Sequence, residues 1–296
     1  MIRIWKFLKN HPLSRSNHSN SILRFLKWQF ASRTLNLPVI FPFVNNTRLI
    51  AQRGFSSGSG NYYVGLLEFE EMSFLLHYLR KEDCFVDVGA NIGAYTVLAS
   101  GAIGAECISI EPIPITFQVL IDNININSLN LKVHALNVGL SNEPGYLQFS
   151  SGAGSMNHVI NASENIQNNV KVKVTTLDEI SGEHLIEMIK IDVEGYEGNV
   201  VLGGDKIFKR NNKPNVIFME LRGHGSRYNI NEQDIHNRML SYGYSPYNYD
   251  PINRTLSPWT QIKTDILGDM LYIYDINKAI TRVKNANTFQ IFSHVL

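Results

Sequence analysis

The residues best suited to bind a nucleoside-containing ligand follow two apolar segments of the chain. The first segment leads into Asp87, Gly89, Asn91 and Gly93, where glycines allow close approach to the backbone and to the positive end of the next helix. Glu111 closes the second segment about 20 residues later, where a carboxylate can accept hydrogen bonds from both hydroxyls of a ribose. Asn91 stands where the dinucleotide fingerprint GxGxxG has a glycine, so the turn departs from that fingerprint.

Acids and histidines that could handle a proton follow the later apolar segments. Asp192 ends one segment, Glu194 lies two residues farther on, and Glu220 ends the next segment. His158 lies in a polar loop and His224 follows Glu220, so these two rank first among nine histidines as candidate general bases. The three acids offer oxygen ligands for a divalent cation, but acids at strand ends more often hold backbone amides or an Arg, so no metal is assigned.

The elements that position these residues are apolar strands alternating with helices. Continuous apolar strands separated by helices predict a parallel sheet covered on both faces, with ligands at the carboxyl ends of its strands. Residues 145–151 and 170–177 alternate in polarity instead, which predicts an insertion that carries the loop 152–169 toward the site. Strands are predicted at 84–90, 107–112, 132–140, 188–195, 215–221 and 270–275, and helices at 92–100 and 114–128.

Five motifs resemble the FkbM family of S-adenosylmethionine (SAM) dependent methyltransferases. They read FVDVGANIGAYT, ISIEP, TTLDEI, MIKIDVEGYEGNVVLGG and PNVIFMEL, within roughly residues 60–222. The resemblance implies a Rossmann-like α/β fold of the class I methyltransferase type, with a seven-stranded, mostly parallel sheet and helices on both faces. It also implies O-methylation of a hydroxyl on a sugar, glycan or other natural product.

By the same resemblance, residues of the turn 87–93 hold the methionine part of SAM and Glu111 holds its ribose. The residue near adenine is often acidic in related enzymes, whereas this chain has Ser141 and Asn142 there, and we assign Asn142 to the cofactor site. Asp192 is the leading candidate for the reacting end, because it ends the strand beside the expected methyl donor. A carboxylate there raises the rate only by accepting or orienting the proton of the hydroxyl, since it stabilises the charged cofactor before the reaction as well.

Three tyrosines near these motifs have predicted positions. Tyr95, at the start of the first helix, is expected to pack under the sheet rather than to face the positively charged sulfur. Tyr62 and Tyr63 follow a glycine-rich stretch that would allow movement, so they could belong to a lid over SAM.

Charge is distributed unevenly along the chain. Residues 1–67 hold nine Lys or Arg and no Asp or Glu, whereas the remainder holds 18 basic against 26 acidic residues, giving charges of +9 and −8. Apolar residues between 22 and 30 alternate with Arg24, Lys27 and Arg33, which predicts a basic amphipathic helix. It is interpreted either as packed on the catalytic domain with solvated cations, or as contacting an anionic membrane or polyanionic substrate.

These features predict a domain organisation and a location. We expect a basic N-terminal extension at 1–55, a methyltransferase domain at 56–280 and a C-terminal tail at 281–296. Cys84 and Cys107 lie inside apolar strands, and neither a signal peptide nor a membrane span is visible, which favours the cytoplasm, with peripheral contact at the inner membrane through residues 1–50. The expected partner is a small-molecule or glycan acceptor and not nucleic acid, with the oligomeric state left open.

Three alternative functions stay open at this point. A nicotinamide-dependent oxidoreductase would share the strand, turn and acid, although the glycine missing at Asn91 and the DVEG motif disfavour it. A nucleic-acid methyltransferase would suit the basic extension, but the Asn or Asp followed by two prolines and an aromatic residue, usual in that class, is absent from the sequence. A SAM-binding protein without catalysis is disfavoured by the acids retained at the strand ends.

Overall fold

The structure is a computed structural model that describes residues 2–15, 18–35, 37–152, 154–161, 164–260 and 266–296. In chain order its α-helices are α1 (Ile2–Asn10), α2 (Pro12–Arg15), α3 (His18–Thr34), α4 (Ser56–Val64), α5 (Phe69–Tyr78), α6 (Ala94–Val97), α7 (Pro114–Ile126), α8 (Leu177–Ser181), α9 (Glu197–Leu202), α10 (Asp205–Lys209), α11 (Glu232–Ser241) and α12 (Ile276–Lys284). Its strands are β1 (Val39–Pro42), β2 (Arg48–Ala51), β3 (Cys84–Val88), β4 (Glu106–Ile110), β5 (Val133–Leu136), β6 (Gly139–Leu140), β7 (Gly145–Ser150), β8 (Asn169–Thr175), β9 (Ile186–Ile191), β10 (Val216–Leu221), β11 (Ser245–Asp250), β12 (Thr255–Pro258), β13 (Gly268–Ile273), β14 (Gln290–Ile291) and β15 (His294–Val295).

One large sheet contains every strand that was predicted to carry a site residue at its end. Its order is β12-β11-β13-β10-β9-β3-β4-β5. The strands from β10 to β5 are parallel to one another, whereas β13 runs antiparallel to both β10 and β11. The seven strands from β11 to β5 confirm the predicted Rossmann-like sheet. Strand β11 was not located in the sequence, although a seven-stranded sheet was expected, and β12, which pairs with β11, adds an unpredicted eighth strand.

Apolar side chains cover both faces of this sheet, which explains why its central strands lack an alternating pattern. On the adjacent strands β3 and β9, Phe85 and Met188 belong to one apolar cluster, whereas Val86 and Ile189 belong to the other. All five residues of β3 are buried. Water is therefore excluded from most of each strand, and the polar residues of a site are expected at or beside the carboxyl ends of the strands.

Two predicted elements have different ends in the structure. The helix expected at 92–100 begins at Ala94 and continues as a π-helical segment, Leu98–Ile103. The strand expected at 132–140 is divided into β5 and β6, and Asn137 lies between them. The side-chain amide of Asn137 donates to the carbonyl oxygens of Glu111 and Pro112 at 2.9 and 3.0 Å, and so connects this break to the end of β4.

The alternating segments form a separate three-stranded sheet, in the order β6-β8-β7. The loop between β7 and β8 folds back over the hairpin, where Val159 forms a bridge to Phe149. These two side chains pack with Val172, Val174 and Ile113, the last of which follows β4. The predicted insertion is thereby anchored beside the carboxyl end of a central strand.

Helix α3 confirms the helix predicted around residues 22–33, and it packs against α4. The ring of Phe25 lies 5.3 Å from that of Tyr63, and the ring of Trp28 lies 6.3 Å from that of Tyr62. Arg24 donates from Nε and Nη2 to the carbonyl oxygen of Tyr63, at 2.9 and 2.8 Å. The lid proposed for the two tyrosines is wrong, because their rings pack in this interface.

The chain ends pack near each other. Strands β14 and β15 form a short hairpin, and Ile291 of this hairpin forms a bridge to Val44, which lies between β1 and β2. The division of the chain at residues 55 and 280 stays a prediction. No helix in the described part of the chain combines the length and the apolar character needed to span a membrane.

Candidate active site

A cleft of about 240 Å³ lies at the carboxyl ends of β3, β4, β9 and β10. Here the connections reverse direction, because the chain runs outward from β3 to β4 and β5 on one side and from β9 to β10 on the other. Ser57, near the start of α4, and Gly154 and Val159, in the insertion, complete the wall of the cleft. The cleft therefore occupies the position at which ligands bind in sheets of this type.

The turn after β3 brings two stretches of backbone unusually close together. A Cβ atom on Gly89 would lie 1.9 Å from the carbonyl oxygen of Asp192, so only glycine fits at this position. Asn91 has a left-handed φ of 53°, a conformation that asparagine tolerates better than most residues. Its side-chain oxygen accepts the backbone N–H of Ile92 at 2.8 Å. Asn91 thus supplies the conformation that a glycine would supply in the dinucleotide fingerprint.

Glu111 is held in place by two backbone hydrogen bonds. Its Oε2 accepts the N–H of Asn91 at 3.0 Å, and its Oε1 accepts the N–H of Ile113 at 2.9 Å. Burial raises the pKa of Glu111 to about 7, although both hydrogen bonds favour the charged form. Because each carboxylate oxygen has a further lone pair, Glu111 can support the turn and still accept hydrogen bonds from a ligand in the cleft.

A buried ion pair lies at the end of the cleft formed by β9. Lys190 and Asp192 lie two residues apart, and Lys190 Nζ lies 2.7 Å from Asp192 Oδ2. Burial opposes the charge of Lys190, but the nearby carboxylates, Asp192 foremost, hold its pKa above the ordinary value. Burial likewise opposes the charge of Asp192, but the ammonium of Lys190 outweighs it and lowers the pKa of Asp192. Both groups are therefore charged at neutral pH.

Glu220 lies beside this pair in a different protonation state. Burial and the charge of Asp192 raise the pKa of Glu220 to about 9, although Arg222 Nη1 lies 2.7 Å from its Oε1. Glu220 and Asp192 share a hydrogen bond. At neutral pH the two carboxyl groups therefore hold one proton between them, with Asp192 charged and Glu220 neutral.

Glu194 and His224 lie next to these carboxyl groups. Nδ1 of His224 lies 3.2 Å from Oε2 of Glu194, and burial together with the charge of Asp192 raises the pKa of Glu194 to about 7. One ligand atom each from Glu194, Glu220 and His224 lies within 4.8 Å of the others, so these three could hold a divalent cation. This set contains His224 in place of Asp192, so it differs from the three acids considered from the sequence.

Three of the residues predicted to bind the cofactor do not line the cleft. Asp87 is fully buried, and its Oδ2 accepts a hydrogen bond from Thr96 at 2.8 Å. A Cβ atom on Gly93 would lie 2.4 Å from the side chain of Leu120, so Gly93 permits helix packing. Asn142 is exposed beyond β6, whereas Gly139 and Leu140 of that strand line the cleft. Among the predicted cofactor residues, Gly89, Asn91 and Glu111 do line it.

Neither predicted histidine lines the cleft directly, whereas Asp192, Glu194 and Glu220 do. The imidazole of His158 is only 12% exposed and lies inside the insertion. Its Nδ1 is 3.0 Å from the carbonyl oxygen of Met156, and its Nε2 is 3.4 Å from Glu164. His158 therefore holds the conformation of its own loop, whose residues Gly154 and Val159 form part of the wall of the cleft.

Sequence reasoning did not name Glu68 or Lys190, which both line the cleft. Tyr95 was expected to pack, and it is 6% exposed within the apolar cluster while it also borders the cleft. The ring of Tyr95, expected under the sheet, lies 4.9 Å from Lys190 Nζ, and its hydroxyl donates to Glu68 Oε2 at 2.6 Å. Lys190 follows the apolar residues Met188 and Ile189 and lies two residues before Asp192, which was a signal for the ion pair. Glu68, just before α5, had no comparable signal.

The model of the family described as "Methyltransferase FkbM domain" matches residues 87–246 of this chain. The matched region includes the turn, Glu111, Asp192 and Glu220. The chain belongs to the FkbM methyltransferase family. This membership overturns the oxidoreductase interpretation and implies SAM as the methyl donor. A search of curated protein sequences finds no match to this FkbM methyltransferase.

Several solved structures are similar to this FkbM methyltransferase at low sequence identity. TYW2 of Pyrococcus horikoshii in complex with MeSAdo is 14% identical over 80% of this chain and 70% of that chain, with a TM-score of 0.42. Precorrin-6y C5,15-methyltransferase from Geobacter metallireducens is 12% identical over 70% and 87%, with a TM-score of 0.39. The human methyltransferase 10 domain containing protein is 11% identical over 88% and 98%, with a TM-score of 0.41.

Proposed function

We propose that this FkbM methyltransferase transfers a methyl group from SAM to a hydroxyl oxygen of a sugar, glycan or other natural product. The observation that carries the proposal is the position of the carboxyl groups of Asp192 and Glu220, which line the end of the cleft beside Lys190 and Arg222. A hydroxyl group both donates and accepts hydrogen bonds. The pair presents a charged acceptor beside a neutral donor, which suits such a group.

The residues of the cleft fit SAM. Glu111 is buried with lone pairs to spare, so it can accept hydrogen bonds from ribose hydroxyls, while Gly89 and Asn91 line the adjoining wall. The carboxylates at the other end suit a ligand that carries a positive charge. When bound, SAM supplies a methyl group activated by its positively charged sulfur.

Asp192 orients the acceptor in this proposal. Its carboxylate accepts the hydrogen bond of the hydroxyl, and Lys190 holds that carboxylate in one orientation from the side. The proton of a hydroxyl becomes far more acidic as its oxygen gains a third bond, so a carboxylate of low pKa can accept it. The orientation of Asp192 therefore matters more than its basicity, and the ion pair with the buried ammonium of Lys190 fixes that orientation.

The charges of the cleft favour a neutral acceptor over nucleic acid. Asp192, Glu194 and Glu220 line it, and its cations Lys190 and Arg222 are already paired with carboxylates. Binding to nucleic acid depends on cations that replace the counterions of phosphates. A polyhydroxylated acceptor instead gains hydrogen bonds from an acidic wall.

We place the enzyme in the cytoplasm as part of this proposal. Cys84 and Cys107 are both free and buried within neighbouring strands. Free thiols of this kind are typical of proteins from reducing compartments.

Transfer of tritium from methyl-labelled SAM tests the proposal. Purified enzyme is incubated with separate pools of monosaccharides and glycans, of hydroxylated polyketides, and of total RNA, with Asp192→Asn as the matched control. We expect labelled methyl ethers in a hydroxyl-bearing pool and a large decrease with the variant. Label in RNA alone would contradict the acceptor class, and binding of S-adenosylhomocysteine without transfer to any pool would favour a non-catalytic SAM-binding protein.

A further inference from the structure

Helix α3 exposes large apolar side chains and buries small polar ones. Leu23, Leu26 and Phe30 are 48%, 52% and 71% exposed, whereas Ser21 and Ser32 are 0% and 7% exposed. The spacing of three and four residues places the three apolar side chains on one stripe of the helix. A helix that only packed on the domain would bury these side chains, so the stripe is adapted to another contact.

Exposed cations lie beside this stripe. Lys27 follows Leu26 directly and lies three residues before Phe30, and Arg33 lies three residues after it. Both cations are exposed, and in the described part of the chain neither takes part in a salt bridge. We name these five residues, Leu23, Leu26, Lys27, Phe30 and Arg33, the α3 outer face.

The surroundings of the α3 outer face are also basic and apolar. Residues 1–67 contain no acid, and Lys6, Lys9 and Arg15 of the preceding helices are exposed as well. Trp5 of α1 is 39% exposed, and its ring lies 6.1 Å from that of Phe25 in α3. The helices that precede α3 therefore add exposed cations and one exposed aromatic ring to this basic part of the chain, although Trp5 contacts the side of α3 that packs on the domain.

We propose that the α3 outer face docks on an anionic lipid bilayer, with its leucines and phenylalanine in the interface and its cations at lipid phosphates. Interfacial helices combine these two features, and residues with long apolar stems and charged ends are suited to this depth. A second copy of the chain fits less well at this face, because two copies of a segment charged +9 would be brought together. Docking of this face on a membrane does not depend on which hydroxyl the enzyme methylates.

Flotation of the full-length protein with vesicles tests the proposal. One set of vesicles contains equal amounts of phosphatidylcholine and phosphatidylglycerol, and the other contains phosphatidylcholine alone. We expect binding to the anionic vesicles that decreases between roughly 0.1 M and 1 M salt, because salt screens the attraction. Leu26→Ser/Phe30→Ser should weaken this binding by about tenfold or more. Lys27→Gln/Arg33→Gln should weaken it roughly twentyfold.

A matched control changes exposed apolar side chains elsewhere. Leu131 and Ile252 are 101% and 77% exposed. Leu131→Ser/Ile252→Ser therefore also replaces two exposed apolar side chains by serine, but away from α3, and it should leave vesicle binding unchanged. Equal loss with this control, equal binding to the two vesicle types, or unchanged binding of both α3 variants would overturn the proposal. The proposal would also be overturned if light scattering showed a dimer that the α3 variants abolish and the parent protein did not bind vesicles. Binding of S-adenosylhomocysteine by every variant verifies its fold.

Discussion

Exchange of charge between Asp192 and Glu220 can be tested by replacing them singly and together. Asp192 is the group that hydrogen-bonds to the buried Lys190, at 2.7 Å, and its charge is what keeps Glu220 protonated. Removal of the Asp192 charge should therefore lower the pKa of Glu220 from about 9 and allow Glu220 to ionise. The free energy of unfolding at pH 7 then depends on whether at least one of the two carboxylates remains.

The expected magnitudes follow from this exchange. Glu220→Gln removes a group that is neutral at pH 7, so it should cost about 1 kcal/mol, the net value of one hydrogen bond. Asp192→Asn should cost about 1 to 2 kcal/mol, because Glu220 supplies the missing charge. The double variant removes both carboxyl groups and leaves the buried Lys190 with Glu68 and Asp87 as its remaining charge partners, and loss of a close partner from a buried charge costs about 3 to 5 kcal/mol. The double loss should exceed the sum of the single losses by about 1 to 2 kcal/mol.

Urea denaturation of the four proteins at pH 7 measures this coupling, and single-turnover methyl transfer measures the chemistry. Asp192→Asn should lower the rate by about 10² to 10⁴ while binding of S-adenosylhomocysteine is retained. Additive losses of stability, within about 0.5 kcal/mol, would show that the two carboxyl groups do not exchange charge. If Asp192→Asn lost cofactor binding and Glu111→Ala retained it, the roles assigned to the two ends of the cleft would have to be exchanged.

Four further predictions concern the walls of the cleft and the loop beside it. Glu111→Ala should weaken binding of S-adenosylhomocysteine by roughly tenfold to a few hundredfold in calorimetry, since charge-assisted hydrogen bonds contribute about 1.5 to 3 kcal/mol each. Burial raises the pKa of Glu111 to about 7, and ribose hydroxyls bind its ionised form. The parent protein should therefore bind S-adenosylhomocysteine more weakly as pH falls below 7. An unchanged affinity at pH 6 would contradict the role of Glu111 in binding ribose. Gly89→Ala should lower the melting temperature by several degrees because its Cβ meets the carbonyl oxygen of Asp192, whereas Gly145→Ala, with open space at its Cβ, should not. His158→Ala should reduce turnover of an identified acceptor more than it weakens cofactor binding, and unchanged kinetics across the pH range would remove His158 from the reaction.

The sheet was predictable because its signals are local. Strands such as β3 and β9 are buried on both faces, so each appears in the sequence as a mainly apolar run that is followed by a glycine or an acid. The polar residues inside these runs are Asp87 in β3 and Glu187 and Lys190 in β9. Strand β12 was missed because its four residues, TLSP, are largely exposed at the edge of the sheet and leave no apolar run. The π-helical segment Leu98–Ile103 was missed because its residues have no pattern that differs from that of an α-helix.

The candidate site was predictable only at the level of strand ends. Parallel strands bring their carboxyl ends together, so the proximity of Glu111, Asp192 and Glu220 followed from the fold class. The direction of each side chain did not follow from it. Asp87 faces the interior of the domain, and His158 faces its own loop. Whether a carboxyl group is charged depends on burial and on distances between strands, which the order of residues does not contain.

The single proton held by Asp192 and Glu220 couples ligand charge to proton balance. Near pH 9, the pKa of Glu220, a ligand that brings a positive charge to this end of the cleft lowers that pKa, so the protein releases part of a proton when such a ligand binds. A neutral ligand causes no such release. Proton release therefore distinguishes the charged cofactor from its neutral product, and the heat of binding should depend on the buffer for one and not for the other.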